Sequence, residues 1–351
     1  MRLGDILLFA SIMLLASNGT AQQASASDSG KLAFHFATID YDTLYKMPQP
    51  PVYKAFSYYG EFLFSVAKQQ TRLAVNIARP TPDNVTQTLD IKFKEIDGIE
   101  LSLDIFEPKG DTSPNPLIVI THGGAWEAGD KAAYRSYGLD FAALGYTVAS
   151  INYRLSGQAA FPAAIEDTRD AIAFLRKNAA KYKIDPDRLV MFGSSAGGHL
   201  AAFTGLAANT PKVPYLKGVD GKTVKAIISI FGPHDLTLDA HRNHRVTRLF
   251  LGKTFKQAPD LYREASPINH VDKNDPPVLL IHGSLDAIVP SKNSDLLAEK
   301  LKSAGVPVNY DKIEGWSHVM DFFSPIAERT LWQCYHFLKK YAPSDELLKV
   351  K

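Results

Sequence analysis

The sequence predicts an α/β protein: a mostly parallel sheet of eight strands, helices on both faces, and a helical extension ahead of the first strand. From Thr86 onward, short apolar runs alternate with longer segments of helical period. The later runs are apolar without interruption, as strands buried on both faces must be. Glycine-containing turns follow several of them directly, and in such sheets reactive groups gather at the carboxyl ends of the strands.

The elements follow in chain order. Arg2 precedes an apolar run from Ile6 to Ala16, and small residues follow at Gly19-Thr20-Ala21. That run is too short for a hydrocarbon core of about 30 Å, so residues 1–21 read as a cleaved signal peptide and the chain as exported, periplasmic or extracellular, with no stable membrane anchor. Residues 22–85 form the extension. Within it Phe56, Tyr59, Leu63, Val66, Leu73 and Ile77 keep a three-or-four spacing, which predicts an amphipathic helix or a helix pair over 54–77, packed on the flank or set as a partial cap over a cleft. Residues 86–345 form the catalytic domain. Strands are expected at 88–93, 101–106, 117–121, 146–153, 189–192, 224–231, 278–281 and 308–313, the first two as a hairpin. Helices are expected at 162–182, 196–208, 291–304 and 325–341.

Composition narrows the partners. The 351 residues carry 39 basic and 37 acidic side chains for a formal charge of +2, with 45% apolar and 22% charged residues. These are ordinary globular values, and the mixed charges lack the basic cluster that nucleic acid requires. The single cysteine, Cys334, excludes an intramolecular disulfide and a multi-cysteine metal site, and on its expected helix it is a buried, inert thiol.

Three turns carry the chemistry. After 189–192 comes Gly193-Ser194-Ser195-Ala196-Gly197, G-x-S-x-G between a strand and a helix. The glycine spacing centres on Ser195, whose hydroxyl such a turn lifts above the sheet, while the helix behind it aims free N–H groups at developing negative charge. After 117–121 comes His122-Gly123-Gly124-Ala125-Trp126. Its glycines let amides turn inward, so Gly123 and Gly124 with Ala196 are the expected oxyanion donors. His122 ties this loop down, and Trp126 walls the substrate site or packs beneath it. After 278–281 a loop carries Asp286, and after 308–313 another carries His318. Serine, acid and histidine then follow in the order Ser195, Asp286, His318. Asp235, after the strand at 224–231, is the second choice for the acid. His199 and His282 read as packing or loop-tethering residues. His241 and His244 could share a helix face and hold a metal, but no third ligand presents itself, so no metal site is expected and the patch reads as solvated.

On these residues, together with Gly129-Asp130-Lys131 and Asn152-Tyr153-Arg154, the chain resembles the α/β-hydrolase esterases of the hormone-sensitive-lipase-like broad group. It is most similar to exported bacterial carboxylesterases of the feruloyl and acetyl-xylan esterase kind. Two departures stand out: Ala125 where lipase-like members carry a third glycine, and Ser194 where they carry an acidic residue. The resemblance implies hydrolysis of small, aromatic or carbohydrate-linked esters through an acyl-enzyme, without cofactor or metal. An arylformamidase using the same machinery is the nearest alternative. A non-catalytic hydrolase fold serving as a binding module belongs to a different class. Oligomeric state is not legible.

Overall fold

The computed structural model describes residues 72–73, 80–110, 113–208, 210, 213–318, 320–324 and 326–349. Eight strands build the main sheet: β1 (Val85–Ile96), β2 (Ile99–Pro108), β3 (Asn115–Thr121), β4 (Thr147–Ile151), β5 (Ile184–Ser194), β6 (Val224–Ile230), β7 (Val278–Gly283) and β8 (Val308–Ile313). Their spatial order is β1-β2-β4-β3-β5-β6-β7-β8. The β1/β2 hairpin closes through Asp97 and Gly98, both at positive φ, the backbone a tight hairpin turn demands. β2 also runs antiparallel to β4, and every later pairing is parallel.

Alternation along the central strands divides the core in two. Leu117 and Val119 of β3 join one cluster, and Ile118 and Ile120 join the other; Leu189 and Met191 of β5 part from Val190 and Phe192 in the same way. The chain's helices are α1 (Arg135–Ala143), α2 (Ala163–Lys177), α3 (Ala196–Ala207), the short α4 (Asp239–Arg242), α5 (Arg245–Leu251), α6 (Pro259–Glu264), then α7 (Lys292–Ser303), α8 (Ile326–Tyr341) and α9 (Asp345–Lys349). Apolar residues of α2, α3 and α7 close the first cluster, and those of α1 and α8 the second. Each face thus buries its own apolar layer, which is why β3 to β7 must be apolar on both sides. Every residue of α3 is buried, so it is a central helix without a polar stripe. This is an α/β-hydrolase fold, as the resemblance implies.

The register sets the working edge. Thr121 stands beside Gly193, Gly193 beside Ser229, Ile230 beside Ile281 and Gly283 beside Ile313. The loops that leave β3, β5, β7 and β8 therefore emerge at one edge of the sheet, β3 beside β5 and β7 beside β8, with β6 between the two pairs.

Two expectations change. Arg72–Leu73, inside the expected helix or helix pair over 54–77, is extended and pairs antiparallel with Phe323–Ser324; backbone pairing with a distant segment outweighs an apolar period there. The rest of that stretch and the expected signal peptide lie outside the described residues. His241, expected on a solvated face, is buried and bonded to Asn293. Among the described residues no helix is long and apolar enough to cross a membrane.

Candidate active site

Ser195 sits between β5 and α3 at φ 54 and ψ −123, a conformation costly for a residue with a side chain and retained where surroundings over-determine it. The determinants are close backbone approaches. Side chains at Gly193 or Gly197 would collide with the Gly197 or Thr121 carbonyl. The Thr121 hydroxyl donates to the Gly197 carbonyl at 2.8 Å, and the Ser195 amide to Ile230 at 2.8 Å. The turn is pinned to both neighbouring strands, with Ser195 at the positive end of α3.

The loop after β3 is held as firmly. Gly124 has φ 123, and a side chain there would strike the Ala128 carbonyl; Ala125 and Trp126 follow at φ 57 each. His122 Nδ1–H donates to the Gly123 carbonyl at 2.8 Å, and burial lowers this histidine to about 4, so it is a neutral tether, as expected. Tyr153 stacks on His122 at 4.3 Å and donates its hydroxyl to the His122 carbonyl at 2.8 Å. Asn152 accepts from the Lys131 amide at 2.7 Å and donates to Asp130 at 2.8 Å. Arg154 grips the buried Asp167 through Nε at 2.8 Å. The Asn152-Tyr153-Arg154 run is thus the brace of the glycine loop, with Asp167 as an anchor that sequence reading passes over. Gly123 packs against the Ser194 carbonyl and the Tyr134 hydroxyl, which a side chain there would meet. Trp126 is buried, stacked on Phe250 at 4.4 Å and edge-on to His199 at 5.1 Å.

Across the elbow, the loops after β7 and β8 are stitched together. The Leu285 amide donates to Trp316 and the Gly315 amide to Ser284 Oγ, each at 2.9 Å. Asp286 and His318 meet there. His318 Nδ1–H donates to Asp286 Oδ2 at 2.6 Å, which leaves Nε2 to accept from Ser195 Oγ at 2.9 Å. Asp286 Oδ1 takes amides from Ile288 at 2.9 Å and Val289 at 2.8 Å. His282 Nε2 donates to the Val289 carbonyl at 2.8 Å and lies 3.3 Å from Asp286 Oδ2. Burial alone would raise Asp286, but His318 and the hydrogen bonds from His282 and His318 hold it well below the ordinary carboxylate range. A fixed negative charge therefore faces a histidine aimed at a strained serine, an arrangement that can draw the proton from Ser195.

The alternatives fall elsewhere. Asp235 caps a turn, accepting from the Thr237 amide at 2.9 Å and its hydroxyl at 2.6 Å. His199 donates to the Ala265 carbonyl at 2.7 Å, and burial lowers it to about 4. His241 likewise falls to about 4 through burial. Among the described residues no cluster of histidine, cysteine and carboxylate side chains could hold a metal. Burial pushes the Cys334 thiol up, which keeps it unreactive. His282, read as a tether, also supports Asp286; its position two residues before the acid loop is visible in sequence, its contact only in space.

The chain is similar to several known proteins. The BD-FAE family matches residues 103–301. The chain is 34% identical over 266 residues to the esterase LipQ of Mycobacterium tuberculosis, covering 72% of this chain and 62% of that protein. It spans between half and two thirds of the curated relatives it matches first. A truncated carbohydrate esterase from gut microbiota superposes with TM-score 0.59 at 29% identity, over 72% of this chain and 98% of that one. Thermogutta terrifontis esterase 2 phosphonylated by cyclosarin superposes with TM-score 0.62 at 26% identity, over 76% of this chain and 98% of that one.

Proposed function

The chain belongs to the BD-FAE family, and from that premise we propose that it is a carboxylic ester hydrolase, a serine esterase acting on small, aromatic or carbohydrate-linked esters through an acyl-enzyme. The observation that carries this reading is the unbroken chain from Asp286 through His318 to Ser195, at 2.6 and 2.9 Å. Ser195 attacks the ester carbonyl as His318 takes its proton, and Asp286 holds the tautomer and stabilises the imidazolium. His318 then protonates the leaving alcohol, and water repeats the sequence. Gly123, Gly124 and Ala196 supply the oxyanion amides. Trp126 walls the acyl side from its seat between Phe250 and His199.

The relatives support the substrate class. One neighbour is named a carbohydrate esterase, and another is a phosphonylated esterase, the adduct expected when an activated serine meets an organophosphonate. The test is labelling with a fluorophosphonate together with a substrate panel. Ser195→Ala should abolish labelling and ester hydrolysis, while Ser194→Ala remains labelled. Labelling that persists without Ser195 overturns the mechanism. The panel compares aryl esters of rising acyl length, acetylated xylan, a feruloyl ester and N-formylkynurenine. Preference for the last would move the activity to the formamide class.

A further inference from the structure

A carboxyl group the mechanism does not use lies beside the elbow. Asp321 follows His318 by three residues, in a 3-10 turn over Met320–Phe322, and is fully buried. Its Oδ2 accepts from Ser194 Oγ at 2.8 Å, while Oδ1 has no partner among the described residues. The groups facing it come from every element packed around it. Tyr134 precedes α1. Tyr137 of α1 donates its hydroxyl to the Asp321 carbonyl at 3.1 Å. Cys334 comes from α8, and His318 from the same loop; all four interact electrostatically with Asp321. Burial raises both tyrosines and the thiol, so of these groups only His318, when protonated, offers a counter-charge. Burial, opposed by the Ser194 bond and by His318, pushes the Asp321 carboxyl up to about 7.

The connection runs onward. Ser194 immediately precedes the nucleophile, and its carbonyl and the Tyr134 hydroxyl lie where a side chain at Gly123 would meet them. One hydrogen bond thus joins Asp321 to the residue preceding the nucleophile, which packs against the glycine loop. Resting on the serine mechanism proposed above, we infer that Asp321 is a second ionisable positioning residue of this site: it carries a proton in the competent enzyme, and losing that proton as pH rises slows acyl transfer. The ionised carboxylate would be an uncompensated charge in a low-dielectric pocket, bonded to the residue that precedes the nucleophile, where it opposes the negative charge developing on the substrate oxygen.

The test is kcat/KM for an uncharged aryl acetate from about pH 5 to 10, corrected for spontaneous hydrolysis, on wild type, Asp321→Asn and Ser194→Ala. Circular dichroism at each pH checks that the fold persists. Wild type should show an alkaline limb, falling about tenfold through the ionisation. Asp321→Asn, neutral at every pH, should lose that limb and hold a plateau. Ser194→Ala removes the donor that favours the carboxylate, so its limb should move upward by about half a unit or more. A purely structural Asp321 would change rates at all pH values alike. A limb absent from wild type, or retained in Asp321→Asn, overturns the inference. Should Asp321→Asn not fold, an unshifted limb in Ser194→Ala overturns it. Fluorophosphonate labelling of Ser195→Ala would instead remove the serine mechanism itself and this inference with it, a result the pH profiles cannot mimic.

Discussion

Two buried carboxyl groups flank the serine–histidine pair, and what separates them is the supply of donors. Asp286 receives two backbone amides and the His318 ring, with His282 close behind. Asp321 receives the Ser194 hydroxyl on its Oδ2 and a smaller pull from its own backbone amide, and its Oδ1 has no partner at hydrogen-bond distance among the described residues. Burial penalises both. In the first case the surrounding donors and His318 overcome it and the charge is fixed; in the second they do not, and the acid rises to about 7. Identical side chains thus divide into a permanent anion and a proton holder, a division set by hydrogen-bond geometry.

The comparison breaks most sharply at Asp286. Asp286→Asn should cut kcat by about three to four orders of magnitude, because the amide can no longer hold His318 in the tautomer that accepts from Ser195. Steady-state kinetics beside Asp235→Asn checks the assignment, since the latter should change kcat by less than about tenfold. Greater damage from Asp235→Asn would show the acid misplaced.

Stability gives the next effect. The folded pKa of Asp321, about 7, lies above its ordinary 3.8, so between those values the unfolded chain releases a proton that the folded chain keeps. Stability is therefore lost as pH rises across that window, on the order of 4 kcal/mol for a fully buried group. Denaturation of wild type against Asp321→Asn at pH 4 and pH 8 should show the variant gaining on wild type at the higher pH. Asp286, held below its ordinary value, has the opposite sign: its contribution is present above about pH 4 and disappears as pH falls. A gap between wild type and Asp321→Asn that does not change with pH would contradict the proton-holding assignment.

A smaller effect sharpens the Asp286 side. His282→Gln leaves the first amide donors in place and removes only the ring that backs the carboxylate, so kcat should fall about three- to tenfold with KM unchanged. An unchanged kcat would make His282 a loop tether and nothing more.

Acid denaturation gives a separate signal, spread over three histidines. His122, His199 and His241 are each lowered to about 4 by burial, so the unfolded chain takes up protons below about pH 6.5 before the folded chain does. Stability should decline as pH drops from about 6.5 towards 4, and replacing His199 with Gln should shrink that decline.

The amino-acid sequence by itself determined the sheet, the elbow and the chain order of serine, acid and histidine. These are local features: uninterrupted apolar runs, glycines flanking Ser195, and loops directly after strands. It also marked His122 as a tether, because a histidine between a buried strand and two glycines has a backbone to bind. Only the tertiary structure decided what depends on partners far along the chain. Arg72–Leu73 is extended because Phe323–Ser324 offers it a strand, and His241 is buried because Asn293 meets it across 52 positions. Asp321 left no mark in the sequence, since Asp-Phe-Phe after a histidine is unremarkable until folding brings Ser194, 127 positions earlier, within 2.8 Å. Ionisation follows the dielectric and the donors around a group, and both are created when distant segments pack, so the charge on a buried side chain is decided in space.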